Sequence, residues 1–462
     1  MPNRLFVIGL DCFDPTLTFD RWLDDLPNLR ALTEQGTYGR LESTIPPITV
    51  PAWTCMLSGK DPGQQGFYGF RNRSDYSYEQ MDIATADQIR FPRVWDLVSQ
   101  AGEQSIVIGV PQTYPVKPIN GIVVSSFLTP STLSAYTHPP AFKEEIREVL
   151  GEYMLDVPNF RTEDKVRLLQ DIYRMSRQRF DLVEHLLRTR PAWKFFMFVD
   201  MGPDRAHHGL WKYMDPGHPK YLRGSPYENT IFKYYQFIDA RIGRLLDMLS
   251  EETAVLVMSD HGAQAMQGGI CINDWLIEQG YLALLDKPGG IVSLDQCEID
   301  WSQTRAWGAG GYYGRIFLNI QGREREGTVA ASQVEGLKDE IAGKLGTLTD
   351  PEGQQIGTHI YHPERVYAEI HNIPPDLIVY FGDLAWRSIG SVGNKTIHVF
   401  DNDSGPDDAN HAQHGMYILR HPGQPEAQKQ DHTWRAIAPT MLQLLGMDVP
   451  PGTSAERLGQ PT

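Results

Sequence analysis

Short, continuous apolar runs recur along the chain, and several of them stop at an acidic residue. The runs cover residues 5–10, 105–110, 194–199, 254–258, 377–381 and 415–419. Runs of this length without alternating polar positions are typical of parallel strands that are buried on both faces of a sheet. We therefore expect these segments to be strands of one mostly parallel sheet.

Longer segments between several of these runs carry apolar residues at helical spacing. Residues 164–187 and 228–249 are the clearest, and both predict amphipathic helices. Strands that alternate with helices indicate an α/β fold, in which helices cover both faces of a mostly parallel central sheet.

The segment 265–375 has a less regular pattern. It contains a Gly-rich approach to a strand at 307–320 and an amphipathic run at 332–345. We predict a smaller inserted or cap subdomain at 265–375, and a core formed by residues 1–264 and 376–450. The Pro- and Gly-rich end, 451–462, is expected to be a loose tail.

Composition excludes several classes of protein. The net charge of the 462 residues is −16, which argues against binding to a nucleic-acid polymer. The four cysteines show no C-x-x-C spacing, so a disulfide framework or a cysteine-rich zinc site is not expected. No apolar stretch has the length of a membrane span, and the first run is too short for a signal peptide. We expect a cytoplasmic protein that binds no membrane; its oligomeric state is open.

Acidic and imidazole side chains gather in four segments, which we expect to follow strands. The clusters are Asp11; Asp204, His207 and His208; Asp260 and His261; and His411 and His414. Ligands of open parallel sheets bind beyond the carboxyl ends of the strands. Each residue alone is equally compatible with a turn, a cap or a surface position. Together they favour a site for a divalent ion such as zinc or manganese.

Thr49 lies at the start of an expected helix in the segment PPITVPAWTC. Pro51 suits a first helical turn, the apolar run 52–57 continues it, and Gly59 is a suitable end. A threonine here is a common N-cap. The N-terminus of a helix is also an anion site, where a hydroxyl can act as a nucleophile. The residues alone leave both interpretations open.

These motifs resemble those of the alkaline phosphatase superfamily, and most closely its type I phosphodiesterase/nucleotide pyrophosphatase branch. The nucleophile segment of that branch is matched by Thr49-Val50-Pro51 followed by Gly59, Pro62 and Gly66. The Pro-Asp-x-x-x-His motif is matched at 203–208, and the Asp-His-Gly motif at 260–262.

The resemblance implies an alkaline-phosphatase-like fold and two divalent ions, zinc or manganese. One ion would be held by Asp11, Thr49, Asp260 and His261, and the other by Asp204, His208 and a late histidine. His411 is preferred to His414 because it stands four residues before a glycine that opens the next expected strand. The four-residue spacing from Asp204 likewise favours His208 over His207.

The resemblance further implies a hydrolase of small phosphodiesters, or of nucleotide or phosphonate esters, that forms a phospho-threonine at Thr49. A phosphomonoesterase or phosphotransferase of the same superfamily is the alternative, and a catalytically silent metal-binding protein is another. Ala52 stands where nucleotide pyrophosphatases commonly carry an asparagine, which leaves nucleotide specificity open. Lys60 and Arg205 are candidates to contact a phosphate oxygen, although either residue type is more often a surface charge.

Overall fold

The centre of the molecule is a ten-stranded sheet. A computed structural model describes residues 4–423 and 427–460. Its strands are β1 (Arg4–Leu10), β2 (Thr37–Glu42), β3 (Arg71–Arg73), β4 (Met81–Ile83), β5 (Ser105–Ile108), β6 (Gly121–Val124), β7 (Thr137–His138), β8 (Phe195–Asp200), β9 (Thr253–Met258), β10 (Gly262–Ala265), β11 (Gly268–Cys271), β12 (Ala306–Ala309), β13 (Gly314–Leu318), β14 (His359–Tyr361), β15 (Leu377–Tyr380), β16 (Trp386–Ile389), β17 (His398–Val399), β18 (Ala409–Ala412), β19 (His414–Arg420), β20 (Gln428–Lys429) and β21 (His432–Thr433).

The α-helices flank the central sheet and build part of the smaller unit. They are α1 (Pro27–Gln35), α2 (Thr49–Ser58), α3 (Pro62–Gln65), α4 (Val94–Gln100), α5 (Phe142–Leu150), α6 (Lys165–Thr189), α7 (Gly202–Met214), α8 (Thr230–Leu246), α9 (Ile272–Glu278), α10 (Val334–Leu345), α11 (Pro363–Val366) and α12 (Ile437–Leu444). The two helices expected at 164–187 and 228–249 are α6 and α8. Among the described residues, none of the helices combines the length and apolarity needed to cross a membrane.

Five parallel strands occupy the middle of the sheet, in the order β9-β1-β8-β5-β6. Every residue of β8 and β9 is buried, which explains why their sequences are apolar without alternation. The expected fold class, an α/β protein with a mostly parallel central sheet, is confirmed.

Two of the expected parallel strands have a different place. β19, which contains the apolar run 415–419, lies in the central sheet but runs antiparallel to both β2 and β9. β15, from the run 377–381, is not in that sheet; it pairs antiparallel with β13 and β14 in a separate four-stranded sheet. The prediction failed there because an apolar run indicates burial on both faces but carries no information about direction or partner.

A second hydrophobic core lies outside the central sheet. Its buried residues run from Ile270 to Trp386 and include parts of β12, β13 and β15 together with α9 and α10. This smaller unit, which we call the cap, corresponds to the irregular segment of the sequence. The expected edges at 265 and 375 stay predictions, although the core reaches beyond 375.

The C-terminal segment contacts the central unit, in contrast to the loose tail that we expected. Leu458 is buried in the main core. The Glu456 carboxylate accepts hydrogen bonds from the backbone and hydroxyl of Thr433, at 2.8 and 2.6 Å. The Lys60 ammonium donates to the Gly452 carbonyl at 2.9 Å. The Pro and Gly residues of this segment therefore shape a packed turn as far as residue 460.

Candidate active site

Three neighbouring strands, β9, β1 and β8, end at nearly the same level. Leu10 pairs with Asp200 in β8, and Gly9 pairs with Met258 in β9. The residues that follow these strand ends therefore emerge side by side at one edge of the sheet. Asp11 and Asp260 are both completely buried there.

Helix α7 begins two residues after β8 and brings Asp204 and His208 to the same edge. Residues four apart lie on one face of a helix. The His208 Nε2 is 3.3 Å from the Asp204 Oδ1. The two side chains are both buried, so the spacing that suggested a pair in the sequence does produce one.

His411 reaches the site from a strand rather than from a strand end, which differs from our expectation. β18 pairs antiparallel with β10, the strand that follows His261 directly. This pairing stacks the rings of His261 and His411 with centroids 3.8 Å apart. The His411 Nε2 lies 3.7 Å from the Asp204 Oδ1. His414 is exposed at the start of β19, where it pairs with Glu42.

Thr49 is the first residue of α2, and Ile48 occupies the N-cap position without a side-chain cap bond. Thr49 is therefore not the cap of this helix. Its Oγ1 lies 3.4 Å from the His261 Nε2. One turn later in the same helix, the Trp53 Nε1 donates to the Asp11 Oδ2 at 2.8 Å. Helix α2 thus positions the hydroxyl and also fixes one of the carboxylates.

Several buried ligand atoms at this edge have no hydrogen-bond partner. They are the Asp11 Oδ1, Asp204 Oδ1, Asp260 Oδ2 and His208 Nε2. Unpaired buried polar atoms are costly and rare in native structures, and they commonly mark a place where an ion belongs. Carboxylate and imidazole donors suit a borderline divalent cation. The residues therefore fit a metal centre.

The ligand atoms form two overlapping groups. The atoms of Asp11, Asp260 and His261 lie within 4.8 Å of one another, and so do those of Asp204, His261 and His411. His261 belongs to both groups. His208 belongs to neither of the two, but its pairing with Asp204 keeps it beside the second. The geometry thus offers room for two neighbouring ions.

Burial and mutual repulsion act on the carboxylates of the first group. Burial, followed by the charges of Asp260 and Asp204, raises the pKa of Asp11 well above its ordinary value. Burial also raises the pKa of Asp260 to about 6. A bound cation removes both penalties, because it replaces the lost hydration and screens the like charges.

A cavity of about 530 Å³ opens beside this edge; we call it the substrate cavity. Its wall includes Ile48, next to Thr49, and Tyr312, whose ring stacks on His411 with centroids 4.0 Å apart. Its charged lining is mainly cationic and contains Arg71, Arg161, Arg205, Arg315 and Arg387. These arginines come from distant segments, so no local pattern along the chain indicates a cationic site.

Residues 5–416 match the family model described as type I phosphodiesterase/nucleotide pyrophosphatase. The chain belongs to this family. It is a hydrolase that acts on phosphoric ester bonds, and the family resemblance expected from the sequence is confirmed. No curated protein sequence matches it.

Solved structures of family members share the fold of this phosphodiesterase. Human ectonucleotide pyrophosphatase/phosphodiesterase 5 superposes with a TM-score of 0.55 at 13% identity, over 97% of this chain and 96% of that chain. The murine protein gives 0.55 at 13%, over 98% and 97%. An inactive murine variant, with a threonine changed to alanine and in complex with AMP, gives 0.56 at 12%, over 98% and 97%.

Two histidines of the phosphodiesterase are oriented by acceptors behind them. The His208 Nδ1 lies 2.7 Å from the Asp407 Oδ1, and the His411 Nδ1 lies 2.8 Å from the Pro47 carbonyl. Because both partners only accept, each Nδ1 donates its proton to them, which leaves each Nε2 as the nitrogen that can bind a metal ion. Asp407 was not predicted from the sequence, although the acidic pair Asp407 and Asp408 stands four and three residues before His411.

We expect Asp407→Asn to weaken divalent-ion binding by about tenfold, because the carboxylate both orients the His208 ring and increases its basicity. A competition titration with a chromophoric chelator measures this affinity. Asp408→Asn is the matched control: Asp408 is an equally buried neighbour whose side chain contacts Lys212 instead. Equal losses in the two variants would contradict the orienting role of Asp407.

Lys60 and Ala52, two expected substrate contacts, are placed differently. The Lys60 ammonium is engaged by the carbonyls of Pro451 and Gly452, at 3.1 and 2.9 Å. It therefore points to the C-terminal segment. Ala52 is completely buried in α2 and offers only a methyl group.

Arg205 lines the substrate cavity, but its guanidinium is already held by carboxylates. It donates to Asp204 and forms two hydrogen bonds with Asp156, at 2.9 and 2.8 Å. The Nε2 of His207, the alternative to His208, lies 3.0 Å from the Tyr235 hydroxyl. In the described residues, Arg71 and Arg315 are the lining arginines without a carboxylate partner.

Proposed function

We propose that this protein hydrolyses small phosphodiesters in two steps, through a phospho-threonine at Thr49. The observation that carries the proposal is the position of the Thr49 hydroxyl, 3.4 Å from the His261 Nε2 at the start of α2. It lies within the group of buried carboxylates and imidazoles that have free ligand atoms.

Seven side chains would hold two divalent ions, zinc or manganese. Asp11, Thr49, Asp260 and His261 would share the first, and Asp204, His208 and His411 the second. Two such ions, when bound, supply positive charge that favours the ionised hydroxyl and stabilises the charge of the reacting phosphoryl group. His261 lies between the two groups, which is consistent with a closely spaced pair.

The helix that carries Thr49 also contributes to phosphate binding. The first N–H groups of an α-helix have no partner within the helix. In α2 they include those of Thr49 and Val50, since Pro51 has none. These groups and the positive end of the helix dipole favour a phosphate oxygen beside Thr49. Trp53 donates to Asp11, the residue that follows β1, and this hydrogen bond fixes the position of α2 relative to β1.

In the first step the Thr49 Oγ1 attacks phosphorus as its proton is lost. A new Oγ–P bond forms, one ester P–O bond breaks, and the departing oxygen takes up a proton from solvent and leaves as the alcohol. In the second step water attacks the same phosphorus and the Oγ–P bond breaks. The products are the phosphomonoester and the free Thr49 hydroxyl. A covalent intermediate of this kind replaces one difficult displacement with two easier ones.

The substrate class is supported by the family and by the cavity. The murine relative binds AMP in its inactive form, and the substrate cavity here can hold a small phosphate ester. The cationic lining favours an anionic substrate. Because a phosphomonoester carries more negative charge than a diester, this lining is also compatible with the phosphomonoesterase alternative. Three of the five arginines, Arg161, Arg205 and Arg387, already bind carboxylates.

We expect kcat/KM for bis-p-nitrophenyl phosphate to exceed that for p-nitrophenyl phosphate. The reason is that three of the five arginines in the substrate cavity already bind carboxylates. Initial rates of p-nitrophenolate release at saturating zinc or manganese measure both values. Thr49→Ala, assayed in parallel, corrects for contaminating phosphatases. A higher kcat/KM for the monoester would assign the site to a phosphomonoesterase instead.

A further inference from the structure

The cap contains a larger cavity than the catalytic edge does, with a volume of about 810 Å³; we call it the cap cavity. Its lining includes the aromatic side chains of Tyr78, Trp301 and Trp307 and the aliphatic side chains of Ile291 and Leu294. A concave, mostly apolar site of this size is typical of a ligand-binding pocket. Nothing in the proposed two-step chemistry uses it.

The aromatic part of this wall is already in place. The rings of Tyr78 and Trp301 stack with centroids 3.5 Å apart, and Trp307 stands edge-on to both, at 5.4 and 5.2 Å. The Tyr78 hydroxyl donates to the Asn319 Oδ1 at 2.8 Å, which fixes the ring that faces the cavity. A wall whose rotamers are already locked loses little entropy when a ligand binds.

The cap cavity adjoins the substrate cavity. Both are lined by Gly310, Gly311, Arg387 and Ser404. A side chain at Gly310 would meet the Gly390 amide at 2.4 Å, so this close approach of two chain segments requires glycine. At Gly311, by contrast, an added side chain would meet largely open space, so this part of the junction between the two cavities carries no side-chain wall and a ligand can extend over it.

Arg387 connects the junction to the catalytic edge. Its Nη1 donates to the Asp407 Oδ2 at 2.8 Å, and the other oxygen of Asp407 contacts the His208 ring. Its guanidinium also lies over the Tyr312 ring, 4.6 Å from the centroid. Arg387 therefore lies on the rim shared by the two cavities, and its partner Asp407 contacts the His208 ring of the catalytic edge.

The rim of the cap cavity exposes apolar surface to water. Ile291 is 65% exposed in the described structure. A ligand that covers such a side chain gains the free energy of removing apolar area from water. Leu285 in the same unit is similarly exposed, at 61%, but does not line the cavity. Substitutions at Ile291 and Leu285 can therefore be compared: both change an exposed apolar side chain, but only the substitution at Ile291 changes the cap cavity.

We propose that the cap cavity binds an apolar ester group of the phosphodiester whose phosphate is cleaved at Thr49. The proposal rests on the proposed function for the position of the phosphate. The ligand chemistry is an alkyl or aryl group attached through the second ester oxygen. It passes over Gly311 and ends against Trp307 and Leu294. Substrate selection would then depend on the cap rather than on contacts at the metal centre.

A series of p-nitrophenyl diesters tests this inference. The second ester group is methyl, hexyl or 2-naphthylethyl, and released p-nitrophenolate gives kcat/KM for each. We expect an increase of about tenfold or more from methyl to hexyl or naphthylethyl, because each buried methylene adds to binding. The larger of the two gains identifies an alkyl or an aryl ligand. Equal values across the series would overturn the proposal.

Ile291→Asp places a charge in the cap cavity, and we expect the hexyl-to-methyl ratio of kcat/KM to fall by about tenfold. Leu285→Asp is the matched control and should leave this ratio unchanged. Equal effects of the two variants would also overturn the proposal. Thr49→Ala, assayed with the methyl ester, distinguishes failure of the proposed function from failure of this inference. Hydrolysis that persists in Thr49→Ala contradicts the role of Thr49 as nucleophile. Hydrolysis that depends on Thr49 but has the same kcat/KM for all three esters contradicts only the role of the cap cavity.

Discussion

Thr49→Ala is expected to reduce kcat for bis-p-nitrophenyl phosphate by about 10³-fold or more, because it removes the nucleophile of a covalent mechanism. The fold should persist, since Thr49 makes no side-chain cap bond in α2. Initial rates and circular dichroism of the purified variant measure the two effects.

Two matched variants make this experiment decisive. Thr49→Ser keeps a hydroxyl and should retain measurable hydrolysis. Thr54→Ala alters a buried threonine of the same helix that bonds to Gln112 instead, and it should keep nearly full activity. Full activity of Thr49→Ala would refute the nucleophile. If the wild-type protein binds metal but hydrolyses none of the diesters or monoesters, it is a silent metal-binding protein.

Removal of divalent ions is expected to abolish hydrolysis and to destabilise the fold. Chelation leaves the free oxygens of Asp11, Asp204 and Asp260 buried without a partner. Each ion stabilises the folded state by about 2.7 kcal/mol when its free concentration is 100 times its Kd. Dialysis against EDTA, followed by thermal unfolding and by readdition of zinc or manganese, measures both effects. Full activity after metal analysis shows no bound ion would contradict the two-metal proposal.

The stability of the chelated protein should depend on pH in a defined direction. Burial raises the pKa of Asp260 from its ordinary value of 3.8 to about 6. The folded protein therefore holds this proton more tightly than the unfolded chain does. The contribution of Asp260 to the free energy of unfolding therefore falls as pH rises from about 4 to 6, and it stays at its lowest value above pH 6. Bound metal should reverse this trend, because the ions need ionised ligands.

The sequence was most informative where chemistry coincides with strand geometry. Asp11 and Asp260 could be placed together because each follows an apolar run, and parallel strands end at one edge of the sheet. The pair Asp204 and His208 followed from helical spacing. His411 required the family resemblance, because it lies within β18 and reaches His261 through a pairing that no local pattern encodes.

Contacts between distant segments could not be predicted. Asp407 and His208 are separated by nearly two hundred residues, and a hydrogen bond of this range leaves no periodic trace in the sequence. The same reason explains the arginines of the substrate cavity, which look like ordinary surface charges one at a time. The apolar run of β15 predicted a strand correctly, but its sheet depended on tertiary packing in the cap.

The order of the central sheet has a consequence for synthesis on the ribosome. β2 pairs with β19, β20 and β21, which all follow residue 413. At translation rates of about 5–20 residues per second, β2 emerges tens of seconds before its partners do. During that interval its backbone is an unpaired edge that chaperones can bind. His411 emerges in the same late stretch, so a nascent chain acquires its complete ligand set only when most of the polypeptide has been made.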